Sequence, residues 1–335
     1  MKTMLEEIQR RLQAGEPLAL VTIIASSGAV PRGAGARMLV GREGRICGTI
    51  GGGAVEYRSE QIALGVLEDG KSVRQSFSLT RDDVQNLGMI CGGAVEVFFH
   101  YLPAGDAGTL ELCRQALARM EAGEALWLLS NLENGGALTL CTEQKELFGS
   151  PCPDWVSGHL TRKLTHVRQD GTDFCVEQIS SPGRVYIFGG GHVSRELEPV
   201  LTHLGFRCVV LEDRPEFARR ELFPTAEAVR LIDFSNIADA ITIGPWDYVC
   251  VMTRGHASDT VVQAQVLPCR PCYVGVIGSR RKAAGVRAAL QEQYGLSEEM
   301  LDQVTTPIGL KIGAETPAEI AISIAAQMIQ VRAQQ

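Results

Sequence analysis

The sequence predicts two α/β domains: an N-terminal mixed α/β domain over residues 1–182 and a C-terminal Rossmann-like, doubly wound parallel sheet over residues 183–335. Three observations lead to this prediction. A chain of 335 residues has room for about two domains. The run Ser-Ser-Pro-Gly at 180–183 favours a turn and suits a boundary. After it, β-branched apolar runs alternate with helical patterns, as they do in βαβ units.

Composition narrows the class of protein. Hydrophobic residues make up 45% of the chain and charged residues 21%, which is typical of a folded globular protein. A net charge of −7 argues against a general nucleic-acid binder. The sequence has neither an apolar run long enough to span a bilayer nor a signal peptide, so we expect a cytoplasmic protein without a membrane partner. In that compartment its ten cysteines stay reduced.

The first domain begins with an amphipathic helix, because Leu5, Ile8 and Leu12 share one face. Gly15 and Pro17 end it. A second helix follows the glycines at 51–53 and continues to about residue 69, and a third covers 109–122. β-Branched and alternating runs predict strands at 17–25, 37–40, 45–50, 71–79 and 94–101, with further short strands within 125–181.

The second domain alternates strands with helices. A helix is predicted over 192–204, and the chain closes with a helix whose start is marked by Thr316 as N-cap, Pro317 and Glu319. Apolar runs predict strands at 184–188, 207–212, 228–233, 248–252 and 273–277.

A glycine loop opens the second domain. Gly189 and Gly191 follow the first strand and precede a helix, while Ser194 stands at the third position of the G-x-G-x-x-G pattern. Such loops bring backbone amides to a phosphate, and Asp213, 22 residues after Gly191, is placed to bind ribose hydroxyls. The pattern favours a nucleotide-like ligand. The alternative is a Rossmann scaffold whose glycines serve turn geometry alone.

Two more loops follow strands of the same predicted sheet. The segment 278–282 places three cations, Arg280, Arg281 and Lys282, after Ser279 at a helix start, where an anion would relieve the electrostatic cost. The other loop is Thr253-Arg254-Gly255-His256. His192 or His256 is a candidate acid–base group, although a loop histidine more often has a structural role.

The first domain carries its own glycine loops. Gly51, Gly52 and Gly53 lie between a strand and a helix, which again suits a phosphate. In Cys91-Gly92-Gly93 the thiol is sterically open, and its thiolate would reach a metal or accept sulfur; the alternative is a small buried residue. Cys269 and Cys272 form a C-x-x-C pair without a second pair at zinc-finger spacing, and a strand rather than a helix follows them.

Several blocks resemble the XdhC/CoxI family of molybdenum-hydroxylase accessory proteins. They are GTIGGGAVE (48–56), GMICGGAVEVFF (88–99), VYIFGGGHVSREL (185–197), VIGSRRKAAGVR (276–287) and PIGLKIGAETPAEIAISIAAQ (307–327). The resemblance covers both domains and implies a maturation factor for xanthine dehydrogenase, without catalysis of its own. Such a protein binds molybdenum cofactor, as molybdopterin or its dinucleotide, holds it for sulfuration by a cysteine desulfurase, and inserts it into the apo-hydroxylase.

The resemblance transfers the cofactor-contact role to Cys91, whose thiolate would lie near molybdenum. Many CoxI-type members have a cysteine after the glycines of the first loop, but this chain has Ala54, which leaves Cys47 as a minor candidate. The residues expected to contact cofactor are Cys91, Gly92, Gly93, Gly51, Gly52, Gly53, Gly189, Gly191, His192, Asp213, Ser279 and Arg280.

Two other functions compete with the accessory role. The glycine pattern with Asp213 also fits an NAD(P)-dependent oxidoreductase, in which the acid would favour NAD over NADP. A regulatory or scaffold protein with a vestigial Rossmann domain is the third possibility. The sequence leaves open the client enzyme, the form of the cofactor and the oligomeric state, a homo-oligomer included.

Overall fold

Three sheets organise the residues that the structure describes, which are 1–78, 93–133, 135–181 and 183–334 of a computed structural model, without the side chains of His256 and Arg280. Two of these sheets have antiparallel strands and belong to a first unit, Met1–Ser181. The third is parallel and belongs to a second unit, Pro182–Gln335. The Rossmann-like C-terminal fold predicted from the βαβ alternation is thereby confirmed.

Unit 1 contains two five-stranded sheets, of order β3-β2-β1-β5-β4 and β8-β7-β6-β10-β9. Its helices are α1 (Lys2–Gln13), α2 (Gly53–Asp69) and α3 (Ala107–Ala122), with a 3₁₀ helix at Asp154–His159. Its strands are β1 (Leu18–Ser27), β2 (Arg37–Gly41), β3 (Gly44–Thr49), β4 (Val73–Ser78), β5 (Ala94–Leu102), β6 (Leu126–Asn131), β7 (Leu138–Thr142), β8 (Leu147–Gly149), β9 (Thr165–Gln169) and β10 (Thr172–Ser180).

The core of unit 1 is shared between its sheets and helices. The predicted apolar face of α1 is buried, with Leu5 3% and Leu12 0% exposed, and it packs with α3 and with leucines of both sheets. Helix α2 covers the other face of the first sheet. Arg37 on β2 and Glu177 on β10 form a buried ion pair that connects the two sheets. Removal of either partner would be strongly destabilising, because it would leave the other charge buried and unpaired.

Unit 2 has the strand order β13-β12-β11-β14-β15-β16, which is the 3-2-1-4-5-6 order of the dinucleotide-binding Rossmann fold. The strands are β11 (Arg184–Phe188), β12 (Arg207–Glu212), β13 (Ala228–Leu231), β14 (Tyr248–Val251), β15 (Tyr273–Val276) and β16 (Val304–Thr305). The helices are α4 (His192–His203), α5 (His256–Val266), α6 (Arg280–Tyr294), α7 (Glu298–Asp302) and α8 (Pro317–Gln334).

Both faces of this sheet are covered. One apolar cluster includes Leu197 and Leu201 of α4 with Ile324 and Met328 of α8. The other face packs against α5 and α6. The start of α8 has the predicted capping box: Glu319 accepts the N–H of Thr316 at 3.0 Å, and Thr316 Oγ1 accepts the N–H of Glu319 at 3.3 Å.

Candidate functional site

Three loops of unit 2 leave the same edge of the parallel sheet. They are Gly189–Gly191 after β11, Thr253–Gly255 after β14 and Gly278–Ser279 after β15, and each leads into a helix. The strand order reverses between β11 and β14. In doubly wound sheets ligands bind at this carboxyl edge, at the point of reversal. The loops that the sequence singled out are therefore brought together.

Gly189 and Gly191 of the first loop are glycines for different structural reasons. Gly189 has φ +106°, and an added Cβ would lie 2.3 Å from the carbonyl oxygen of Met252, so the fold itself requires glycine there. Gly191 has φ −73°, and, apart from its chain neighbours, no atom of the described residues lies within 4 Å of its Cβ position. Because no side chain caps α4, its first amides stay available to an anion beside Gly191.

Glu212, the last residue of β12, holds the glycine loop in place. Its Oε2 accepts the N–H of Gly190 at 2.7 Å, and Arg214 donates to its two oxygens at 2.8 and 2.9 Å. The side chain is only 1% exposed. Burial by itself raises the pKa of Glu212, but the hydrogen bonds from Arg214 and the other donors outweigh it and lower the pKa to about 2. A permanent carboxylate therefore stands beside the loop.

Asp213, the residue expected to bind ribose, does not contact the loop among the described residues. Its side chain is 41% exposed, and burial together with the neighbouring Glu212 carboxylate raises its pKa. The acid that reaches Gly190 is its neighbour, which we did not single out from the sequence. The available sequence signal for Glu212 was its position as the last residue of a buried strand. A ribose contact from Asp213 stays a prediction.

Two basic side chains contact the ring of Phe217, which lies beside Gly190. The guanidinium of Arg214 lies 4.0 Å from the centroid of the Phe217 ring, and that of Arg195, on the first turn of α4, lies 5.5 Å from it. His192 is the first residue of α4 and is exposed. Its predicted cofactor contact stays a prediction, as does its candidate acid–base role.

The loop after β15 begins α6 as the cation-rich segment predicted. Ser279 Oγ accepts the N–H of Lys282 at 3.4 Å and so caps the helix. Arg281 and Lys282 are exposed and form no ion pair with any described residue. Arg280 is the first residue of α6, and its side chain is outside the described part of the chain. A cavity of about 150 Å³ lies beside this loop.

The glycine loop of unit 1 is occupied by an acid of its own helix. Glu56 Oε2 accepts the N–H groups of Ile50 at 2.9 Å and Gly52 at 3.1 Å, together with the Thr49 hydroxyl. Burial opposes ionisation of Glu56, but these bonds and nearby Arg45 outweigh it and lower its pKa. The predicted phosphate contacts at Gly51–Gly53 stay a prediction. A contact with the Gly52 amide requires Glu56 to leave it, whereas the Gly51 amide donates to the Thr49 hydroxyl.

The second loop of unit 1 lies largely outside the described residues. Cys91 and Gly92 belong to the segment 79–92, which the structure does not describe. Gly93 is buried, and an added Cβ would lie 2.5 Å from the carbonyl oxygen of Ser27 and 2.6 Å from that of Ala29. Packing therefore explains Gly93 without a ligand.

The other candidate thiols lie outside the glycine loops. Cys47, on β3, packs against the core of unit 1, and burial raises its pKa. Cys269 and Cys272 precede β15, so they lie at the amino edge of the unit 2 sheet. No cluster of three His, Cys, Asp or Glu side chains suited to a metal occurs among the residues described. Within the same residues, no helix combines the length and hydropathy needed to cross a bilayer.

Comparison with protein families decides the affiliation. The family model described as XdhC Rossmann domain matches residues 185–328, and the model described as XdhC and CoxI family matches residues 11–78. The chain belongs to the XdhC and CoxI family. The resemblance that the glycine and cysteine motifs indicated is thus confirmed.

Similar proteins align with nearly the whole chain. The chain is 27% identical to a probable xanthine dehydrogenase subunit of Bacillus subtilis, over 98% of this chain and 97% of that protein. It is 21% identical to the molybdenum cofactor insertion chaperone PaoD of Escherichia coli, over 100% and 89%. A crystal structure described as a xanthine dehydrogenase from Bacillus halodurans is 24% identical, with a TM-score of 0.79 over 99% of this chain and 96% of the other. That structure supports the fold.

Proposed function

We propose that this XdhC-family chain is an accessory protein that binds molybdenum cofactor and inserts it into a xanthine dehydrogenase-type molybdenum hydroxylase. One observation carries the proposal: the chain is similar over its full length to a molybdenum cofactor insertion chaperone. In this role the protein is a maturation factor rather than an enzyme. It holds the cofactor while a terminal ligand is exchanged for sulfur that a cysteine desulfurase supplies.

The described residues suit the anionic end of such a cofactor. Beside Gly191 the amides of α4 meet open space, and cations begin α6 at the same sheet edge. We assign the phosphate-bearing end to this edge, with contacts from Gly191, His192, Ser279 and Arg280. The thiol of Cys91 is the proposed soft ligand near molybdenum, which supplies the hydroxylase with its redox chemistry once delivered.

Purification from molybdenum-replete cells tests this proposal. The full chain should carry pterin, detected by mass spectrometry, and molybdenum, detected by metal analysis, in near-stoichiometric amounts. Cys91→Ser should lower the retained sulfurated cofactor and the activation of an apo-hydroxylase. Cys269→Ser is the matched control, because that thiol is exposed at the opposite edge of the unit 2 sheet. Protein that neither carries pterin nor acquires it from a donor contradicts the proposal.

The Rossmann strand order supports a second candidate, an NAD(P)-dependent oxidoreductase. It needs NADH to bind at Gly191 and a substrate to be turned over. A fluorescence titration with NADH, followed by assays with aldehydes and purines, separates the two functions. Turnover without retained pterin would favour the oxidoreductase.

A further inference from the structure

The cavity beside the α6 loop is the least explained feature of unit 2. It has a volume of about 150 Å³ and lies between α5 and α6 at the carboxyl end of β15. Most of its wall is apolar, formed by Val276, Ile277, Val286, Leu290, Leu301 and Val304. An apolar space with a few polar groups, at the ligand edge of a doubly wound sheet, is typical of a binding pocket.

Gln263 places one hydrogen-bond acceptor in this wall. The residue is 2% exposed, and its Nε2 donates to the carbonyl oxygen of Asp259 at 2.9 Å. Its Oε1 accepts no hydrogen bond from any described residue, and the atom is not fully buried. The oxygen is therefore available to a ligand that carries an N–H group.

Lys282 places a cation at the same cavity. It lines the cavity, is exposed, and has no ion pair within the described part of the chain. Arg287, another cation of the lining, is already bound to Glu298 and to Asp302, the latter at 2.7 Å. Among the described residues of the lining, Lys282 is therefore the cation that remains for an anionic group of a ligand, whereas the Asp259 carboxylate of the lining accepts the Thr253 hydroxyl at 2.6 Å.

The volume limits what the cavity holds. A closed cavity of about 150 Å³ accommodates a benzene-sized ring, so the space within this wall takes one six-membered ring, and a fused two-ring base would extend out of it. We propose that this cavity binds a single heteroaromatic ring that carries an N–H donor and is linked to a phosphate. Pyrimidine nucleotides and nicotinamide mononucleotide share this chemistry. The inference deepens the proposed function by assigning a place to the nucleotide of a dinucleotide cofactor.

Calorimetric titration of the full chain with CMP, nicotinamide mononucleotide and AMP tests the ring size. At least one of the two single-ring nucleotides should bind about tenfold more tightly than AMP, because a fused two-ring base matches the shape of the apolar wall less well. Tighter binding of CMP identifies a pyrimidine site, and tighter binding of nicotinamide mononucleotide identifies a nicotinamide site. Equal or tighter binding of AMP, or no binding of either single-ring nucleotide at millimolar concentration, overturns the proposal.

Variants locate the site. Ala283→Leu fills the cavity and should weaken binding at least about tenfold, whereas Ala288→Leu, on an exposed position of the same helix, should leave it unchanged. Gln263→Met should weaken binding about fivefold through loss of one hydrogen bond. Binding that survives both Ala283→Leu and Gln263→Met places the nucleotide elsewhere and refutes the assignment.

The contribution of the Lys282 charge is tested with a matched pair of variants. Lys282→Gln should weaken nucleotide binding about fivefold and reduce its salt dependence, while Arg281→Gln, the exposed neighbour outside the cavity wall, should change it less. These titrations need no pterin. Failure of nucleotide binding with intact pterin retention rejects the cavity assignment alone, and the reverse result rejects the accessory function alone.

Discussion

The two glycine loops of the molecule look alike in sequence but differ in how much of their anion-binding capacity is left. In unit 1, Glu56 comes from the helix that follows the loop and accepts two of the loop's backbone amides and a hydroxyl. In unit 2, Glu212 comes from the neighbouring strand and accepts one loop amide, that of Gly190. Gly191 and the start of α4 remain open. A run of glycines before a helix thus indicates an anion site only when no nearby carboxylate already fills it.

The difference also separates two uses of glycine. Gly189 and Gly51 permit close approach within the chain, to the Met252 carbonyl and to the Pro31 side chain. Gly191 permits approach from outside, because no atom of the described residues beyond its chain neighbours lies within 4 Å of its Cβ position. Only the second use leaves room for a ligand.

The largest expected change in stability distinguishes these two uses of glycine within the Gly189–Gly191 loop. Gly189→Ala should destabilise unit 2 by about 4 kcal/mol, since the added Cβ meets the Met252 carbonyl in a left-handed conformation. Gly191→Ala should change stability by less than about 1 kcal/mol. Hydrogen-exchange mass spectrometry of unit 2 peptides in urea measures both. Equal losses in the two variants would show that Gly191 is also a structural glycine.

Sequence patterns predicted those secondary-structure elements well whose formation depends on interactions between residues close in sequence. The capping box at Thr316 and Glu319, the buried face of α1 and the strand–loop–helix order around Gly189 all depend on residues close in sequence. The pairing of β1 with β5 and of β6 with β10 joins distant segments, and the sequence does not specify such partners. The two-residue strand β16 is too short to carry a pattern.

The candidate site shows the same limit. The sequence located the open loops, but it did not show which of two adjacent acids faces Gly190. Successive side chains of a strand point to opposite faces, so the position of Glu212 depends on the exact end and twist of β12. Glu56 was equally hidden, because its role appears only when the loop folds back over the first turn of α2.

The second-largest effect is expected from Glu212, in the pH dependence of the stability of unit 2. The pKa of Glu212 is lowered from 4.5 to about 2, so its carboxylate stabilises the fold above pH 4.5 and this contribution is lost as the pH falls towards 2. The neighbouring Asp213, whose pKa is raised, offsets part of this contribution. Glu212→Gln should lower the stability of unit 2 at neutral pH and flatten its dependence on pH between 4.5 and 2.

Glu221→Gln serves as the control, because Glu221 is an exposed acid of the same unit. It should leave both the stability and the pH profile close to those of the parent chain. An unchanged pH profile of stability in Glu212→Gln would mean that the charge of Glu212 does not strengthen its hydrogen bonds with Arg214 and Gly190. The carboxylate would then have to be assigned to a ligand instead of to the fold.

The smallest effect tests whether Glu56 acts as an internal anion. Glu56→Ala should destabilise unit 1 by about 2 kcal/mol, because the amides of Ile50 and Gly52 lose a charged acceptor. Glu68→Ala, at an exposed position of the same helix, should have little effect. Hydrogen exchange of unit 1 peptides measures the loss.

Added inorganic phosphate completes this test. Phosphate should restore part of the stability in Glu56→Ala and should stabilise the parent chain less, because the substitution frees the amides of Ile50 and Gly52. If phosphate stabilises both proteins equally, Glu56 does not block the loop. The two glycine loops would then be equivalent anion sites, and the phosphate contacts expected at Gly51–Gly53 would not require displacement of the acid.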